Sequence, residues 1–212
     1  MAGSGKFEPE SERVTRQLRD DILDGVRKPG SKLVERELAA QMGVSRVPVR
    51  DALRVLVAEG LVTPRPRTWA VVREFTPSDI ADLAEVRGAL EALTFRLAAQ
   101  RRHRAGLDQL RSTLEEELQA ARAGDAVRAR RAAADFHETV TSMAANELLS
   151  ELAGTFRSRM RWLLGQYDDL MAIAREHEAL YGAIADRDVA LVDELVSTHL
   201  ENSRHALAAH RR

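Results

Sequence analysis

Apolar residues in the first third of the chain recur with the period of a helix and are punctuated by glycines. Val14, Leu18 and Ile22 stand at i, i+4 and i+8 and predict one amphipathic helix from about Pro9 to Asp24, stopped by Gly25 and followed by a Pro29-Gly30 turn. A second short helix is predicted from Val34 to Gln41, burying Leu38 and Met42 and ending at Gly43. Ser45 is placed to cap a third, running to about Glu59, with Pro48 tolerable in its first turn. Val49, Leu53, Leu56 and Gly60 form the inward stripe of that helix. The period then shortens. Leu61-Val62-Thr63 and Ala70-Val71-Val72 are β-prone triplets on either side of a basic, proline-containing connection, which reads as a small hairpin or wing.

Phe75-Thr76-Pro77 reads as a boundary. Beyond it six helical stretches are predicted, at about 77–103, 107–123, 125–144, 147–166, 169–185 and 188–209, with breaks at Gly106, Gly124, Asn146, Asp168-Asp169 and Asp186 to Asp188. The expected fold class is mainly α: an N-terminal winged helix-turn-helix (residues 9–75, after a mobile tail 1–8) and a C-terminal antiparallel all-helical bundle (76–212).

Composition agrees with helices, because aromatic residues are only 4% of the chain while 44% are hydrophobic. The chain has no cysteine, which excludes disulfides and thiolate metal sites. No run approaches the roughly 18 apolar residues of a membrane span and the N-terminus lacks an apolar signal-peptide region, so a cytoplasmic protein is expected. Net charge is −1, but it is unevenly placed. Residues 1–75 carry 14 Lys and Arg against 11 Asp and Glu, while residues 76–212 carry 18 against 22.

The basic excess has a place to act. Arg46, Arg50 and Arg54 recur at i, i+4 and i+8 on the third helix, opposite its apolar stripe. A basic ridge presented by the second helix of a helix-Gly-helix turn can lie in the major groove of DNA, where arginine offers a planar fork to guanine O6 and N7 or to phosphates. Arg36 can add a contact from the preceding helix, Ser45 can offer its hydroxyl and a helix N-terminus to a phosphate, and Arg65 and Arg67 can reach from the wing. The alternative is an ordinary solvated helix face.

The stretch from Val14 to Val72 resembles the winged helix of GntR-type regulators, through Ile22-x-x-Gly25, Pro29-Gly30-x-x-Leu33, Glu35-Arg36-Glu37-Leu38-Ala39, Gly43-Val44-Ser45-Arg46-x-Pro48-Val49-Arg50-x-Ala52-Leu53 and Glu59-Gly60-Leu61-Val62. That resemblance implies operator contacts for Arg36, Arg46 and Arg50. Relatives place glycine near the wing tip, whereas this chain reads Arg67-Thr68-Trp69-Ala70. Trp69 lacks glycine's freedom at positive φ, which implies a reshaped wing; it either packs against the domain interface or meets DNA.

His137, His177 and His199 stand in three different predicted helices, each among small or apolar neighbours. Imidazoles converging from separate helices can bind Zn²⁺ or a similar cation; the alternative for each is a half-buried polar residue with one hydrogen bond. Residues 80–203 resemble the FCD ligand-binding domain of the FadR subgroup, in its shorter six-helix, VanR-like form, through Glu85-Val86-Arg87-x-x-Leu90-Glu91, Phe136-His137, Asn146-x-Leu148-Leu149, Glu176-His177 and His199-Leu200. The three histidines match the metal positions of that family, which implies a divalent metal such as Zn²⁺, with Ni²⁺ or another transition metal as options. The family's carboxylate four residues before the first histidine is Ala133 here, and Asp135 faces elsewhere. Arg87 matches a residue that faces the family's cavity; it either grips a small carboxylate effector or forms a salt bridge with Glu91.

The expectation is a dimeric DNA-binding transcriptional regulator, a repressor rather than an enzyme, reading palindromic half-sites and controlled by a small organic acid. Two rivals are a helical histidine-metal hydrolase, for which no H-E-x-x-H motif or general base is found, and an interaction module with a vestigial pocket.

Overall fold

The computed structural model describes residues 8–65 and 69–209. The chain divides into two compact units, Met1–Phe75 and Thr76–Arg212.

The first unit begins with α1 (Glu10–Leu23), whose stripe of Val14, Leu18 and Ile22 is buried. Of the expected tail, only Glu8 is described, and it pairs with Arg16 at 2.6 Å. Then come β1 (Lys32–Val34), α2 (Glu35–Met42), α3 (Arg46–Ala58), β2 (Val62–Arg65) and β3 (Trp69–Val72). Helices α1 and α3 pack together, and Glu59 at the end of α3 accepts two bonds from Arg19 of α1, at 2.8 and 2.6 Å. The inward stripe of α3 is as predicted, with Val49 and Leu56 fully buried. Gly43 closes α2 at φ +66°, a conformation that costs glycine no Cβ clash.

Three details differ from the sequence reading. The wing is a three-stranded antiparallel sheet in the order β1-β3-β2, because Lys32–Val34 pairs with Val71 to Trp69. A three-residue strand has no alternation to read; only its distant partner makes it one. Ser45 occupies the N-cap of α3 but makes no side-chain cap bond. Pro48 stands at the third helical position and has no N–H to give it. Met42, at the open end of α2, is only half-buried, and Ala39 takes its place in the core. Pro64 sits in the edge strand β2, where its missing N–H costs no ladder bond. Arg67 lies outside the described residues, and Trp69 is described for its backbone alone, opposite Val34 and Arg65.

The second unit is an all-helical bundle of α4 (Pro77–Arg101), α5 (Arg104–Ala123), α6 (Ala126–Met143), α7 (Glu147–Leu164), α8 (Leu170–Asp186) and α9 (Val189–Ala209). Thr76 and Asp79 form a capping box on α4, while Asp125, Asn146 and Asp169 cap α6, α7 and α8. The break expected at Gly106 falls earlier, since the His103 ring caps α5 by accepting from the Gly106 N–H at 3.1 Å. Gly106 is instead a packing glycine: a Cβ there would stand 2.9 Å from Met143 Cγ. The core joins Phe95 of α4, Leu110 and Leu114 of α5, Phe136 and Val140 of α6, Leu180 and Ile184 of α8, and Val192 and Val196 of α9. No helix of the described residues is long and apolar enough to cross a membrane.

Candidate nucleic-acid interface and candidate metal centre

The sharp turn at Gly43 sets α3 directly after α2, with its apolar stripe inward and Arg46, Arg50 and Arg54 outward, all exposed. Arg36 on α2, Ser45 and Arg65 on β2 are exposed as well. Two of the ridge arginines share a partner that sequence reasoning missed. Glu35, the first residue of α2, accepts from Arg50 Nε and Nη2 at 3.0 Å each and from Arg46 Nη2 at 3.0 Å. Those bonds, the Arg50 bond first, hold the Glu35 carboxyl below its ordinary range. Arg54 pairs more loosely with Asp51, at 3.5 Å. Val47, on the first turn of α3, is an apolar side chain left 63% exposed on the same helix and was also missed.

In the second unit the bundle brings together His137 from α6, His177 from α8 and His199 from α9, all buried, with ligand atoms within 4.8 Å of one another. Two of the imidazoles are oriented from behind. His177 Nδ1 lies 2.8 and 3.0 Å from the two carboxylate oxygens of Glu117 on α5, and His199 Nδ1 lies 2.6 Å from Glu176 Oε2. A glutamate accepting the Nδ1 proton leaves the lone pair on Nε2, and His177 Nε2 faces His137 Nε2 at 3.2 Å. Phe136 stacks on His177 at 4.4 Å, fixing the ring plane.

His137 is held differently. Its Nδ1 is 2.9 Å from Glu91 Oε1 but out of line for a hydrogen bond, and both this nitrogen and Glu91 Oε2 are buried without a hydrogen-bond partner. Arg87, also on α4, is fully enclosed: Nε donates to Glu91 Oε1 at 2.9 Å, Nη1 to Tyr167 Oη at 2.6 Å, and Nη2 meets His199 Nε2 at 2.7 Å. The salt bridge weighed for Arg87 is therefore made. The same side chain also lines a cavity of about 310 Å³ between α4, α6 and α7, alongside Glu91, Thr94, His137, Thr141 and Met160.

Ala133 is buried and offers no ligand, and Asp135 is exposed and turned to Arg161. The carboxylates of this site come instead from Glu91, Glu117 and Glu176, none of which spacing along α6 reveals. One signal for Glu117 was present: Leu110, Leu114, Glu117 and Ala121 lie at i, i+4, i+7 and i+11, so this glutamate sits on the buried stripe of α5. Of these three carboxylates only Glu91 pairs with the buried guanidinium of Arg87, while Glu117 and Glu176 back imidazoles. Borderline nitrogen donors and orphaned buried polar atoms both fit a divalent cation.

Burial holds the His199 imidazole down at about 3, against the pull of Glu176, and lowers His137 too. Burial alone would raise the Glu91 carboxyl, but Arg87 and the histidines hold it well below the usual range; burial opposes Glu176 too, and its bonds from His199 and Asn202 lower it. All four groups bind protons less readily folded than unfolded, so the unfolded chain takes up more protons as pH falls. In chelator, the urea midpoint of the helical unit is expected to drop progressively as pH falls from about 6.5, the unfolded imidazole value, towards 4. A midpoint that stays flat or rises from pH 7 to 5 contradicts the buried neutral cluster.

Comparison with known proteins adds independent findings. Residues 10–72 match the family described as bacterial regulatory proteins, gntR family, and residues 82–202 match the FCD domain. An uncharacterized HTH-type transcriptional regulator, Rv0494, of Mycobacterium tuberculosis is 32% identical over 230 aligned positions, covering 96% of this chain and 93% of the relative. A probable D-xylose utilization operon transcriptional repressor of Paenarthrobacter nicotinovorans is 29% identical, covering 90% and 89%. Among solved structures, a putative GntR regulator from Rhodococcus sp. RHA1 superposes with a TM-score of 0.79 at 25% identity, covering 94% and 98%. E. coli McbR/YncC has the same fold, with a TM-score of 0.85 at 22% identity, covering 97% and 100%.

Proposed function

This chain belongs to the GntR family as a DNA-binding transcriptional regulator with an FCD domain, and on that footing we propose that it is a cytoplasmic, dimeric repressor released from its operator by a small organic acid bound beside a divalent metal. Family membership sets aside the hydrolase reading, since the relatives are regulators rather than enzymes. In this reading Arg36, Arg46 and Arg50 meet operator DNA, with Ser45, Arg54 and Arg65 on phosphates and Val47 on a thymine methyl. Two copies read palindromic half-sites about one helical turn apart.

His137, His177 and His199 would hold the metal, Zn²⁺ being the first candidate for neutral nitrogen donors and Ni²⁺ the second. The observation that carries the reading is the set of three buried imidazoles, two of them turned inward by a carboxylate on Nδ1, beside a cavity that Arg87 also lines. A bound cation supplies an electrophilic contact for an effector carboxylate. Arg87 orients that carboxylate through the guanidinium N–H now turned to His199. The acid acts as a switch only by favouring one arrangement of the DNA-reading heads over the other.

The test is release. The Zn²⁺-loaded chain is bound to a duplex selected from a random pool and titrated with hydroxy, keto and dicarboxylic acids of two to six carbons. At least one acid is expected to weaken DNA binding by about tenfold, within the usual range of allosteric coupling. The effect should vanish in chelator. If every acid leaves both DNA affinity and melting temperature unchanged, the effector reading fails and the interaction-module alternative gains.

A further inference from the structure

Two of the arginines offered to DNA are already held by a carboxylate. Glu35 opens α2, its side chain only 19% exposed, and it takes the side-on edge of Arg50, Nε with Nη2, together with one Nη2 of Arg46. We propose that Glu35 is a specificity-determining positioning residue: it sets the guanidinium groups of Arg46 and Arg50 as one fork aimed at base edges and weakens their attraction to phosphate. The proposal rests on the reading that these two arginines meet DNA.

The bonding pattern supports the first half. An arginine held through Nε and one Nη2 hydrogen keeps Nη1 and the outer Nη2 hydrogen free, the end-on fork that matches guanine O6 and N7. Arg50 and Arg46 have side chains 47% and 59% exposed, and long exposed side chains lose rotamer freedom when they dock. Fixing them beforehand removes part of that loss. Glu35 is itself well anchored, since a carboxylate in the first turn of a helix sits at the favourable end of the helix dipole. Its ionised form is further stabilised by the two arginines.

Charge supports the second half. Two guanidinium groups sharing one carboxylate present a single net positive charge to the duplex. Binding to arbitrary DNA depends on phosphate neutralisation and counterion release, whereas discrimination depends on oriented base contacts. Removing the Glu35 charge therefore acts in opposite directions: it strengthens binding to any DNA and loosens the fork that reads the preferred sequence. A residue needed only for folding would weaken both together.

The experiment uses the full chain. A random 30-bp duplex pool is enriched on the wild-type protein, and the most enriched duplex and one unenriched duplex serve as probes over a range of salt. For Glu35→Gln, the ratio of the two affinities is expected to fall about tenfold, the loss of part of one good base contact in each half-site. On the unenriched duplex its affinity should rise and its log–log salt slope steepen by up to about 1.8, about 0.9 for each protomer of the dimer. Glu35→Asp, which keeps the charge, should restore the weak binding to unenriched DNA.

A ratio within twofold of wild type for Glu35→Gln, or equal weakening on both probes, overturns the proposal. Arg50→Ala separates the two levels of inference. If it leaves binding to the enriched duplex intact, or if the pool never enriches, the DNA-reading role of the pair fails and Glu35 falls with it. If Arg50→Ala abolishes preference while Glu35→Gln does not, only the role of Glu35 is lost.

Discussion

Replacing Arg50 with Ala is expected to weaken binding to a selected operator by between about 30-fold and 2 × 10⁴-fold. A bidentate arginine–guanine pair contributes roughly 1–3 kcal/mol of discrimination, and a dimer reading two half-sites loses it twice. The variant also leaves Glu35 facing DNA with only Arg46 to offset its charge. Folding should be unaffected. Arg50 is exposed and its hydrogen-bond partner among the described residues is Glu35, so a change in stability within about 0.5 kcal/mol is expected. Fluorescence anisotropy on the selected duplex, with a melt of each variant alongside, reads both quantities. Operator affinity within threefold of wild type would remove Arg50 from the interface.

The second large effect concerns His177. Its ring is fully buried, stacked on Phe136 and backed by Glu117, so His177→Ala removes an inward-facing nitrogen and strands a carboxylate in the core. Wild-type chain, stripped and reloaded with Zn²⁺, is expected to retain one ion per chain, and His177→Ala none. Breaking a buried charge-assisted pair by removing one partner costs roughly 3–5 kcal/mol, so this variant should also be less stable without metal.

Glu117→Gln separates ligand loss from misfolding. It keeps the His177 ring and its packing but weakens the Nδ1 contact, which should lower metal affinity about 10- to 100-fold while stoichiometry stays at one. Metal should raise the melting temperature of wild type, since occupancy at 100 times the dissociation constant adds about 2.7 kcal/mol. The same addition should do nothing for His177→Ala. Unchanged metal content in a folded His177→Ala would show that the imidazoles are core residues and nothing more.

The sequence by itself determined the main helices and the faces they turn, because those depend on near neighbours. The i, i+4 recurrence of Val14, Leu18 and Ile22 predicts α1, and the opposed stripes of Val49-Leu53-Leu56 and Arg46-Arg50-Arg54 predict which way α3 faces. Spacing also marked His137, His177 and His199 as three candidates on separate helices, because each lies among small or apolar neighbours along its own helix.

Only the tertiary structure decided the pairings between distant positions. β1 exists because Lys32–Val34 meets Val71 to Trp69, and nothing within three residues encodes that ladder. Glu35 reaches Arg50 across the α2–α3 turn, while Glu117 meets His177 and Glu176 meets His199 rather than its own neighbour His177. A hydrogen bond or ion pair of this kind requires two side chains within about 3 Å, a condition set by how helices pack and not by either residue's local pattern. That is why the chain announced its imidazoles and its arginines more clearly than the carboxylates that pair with them.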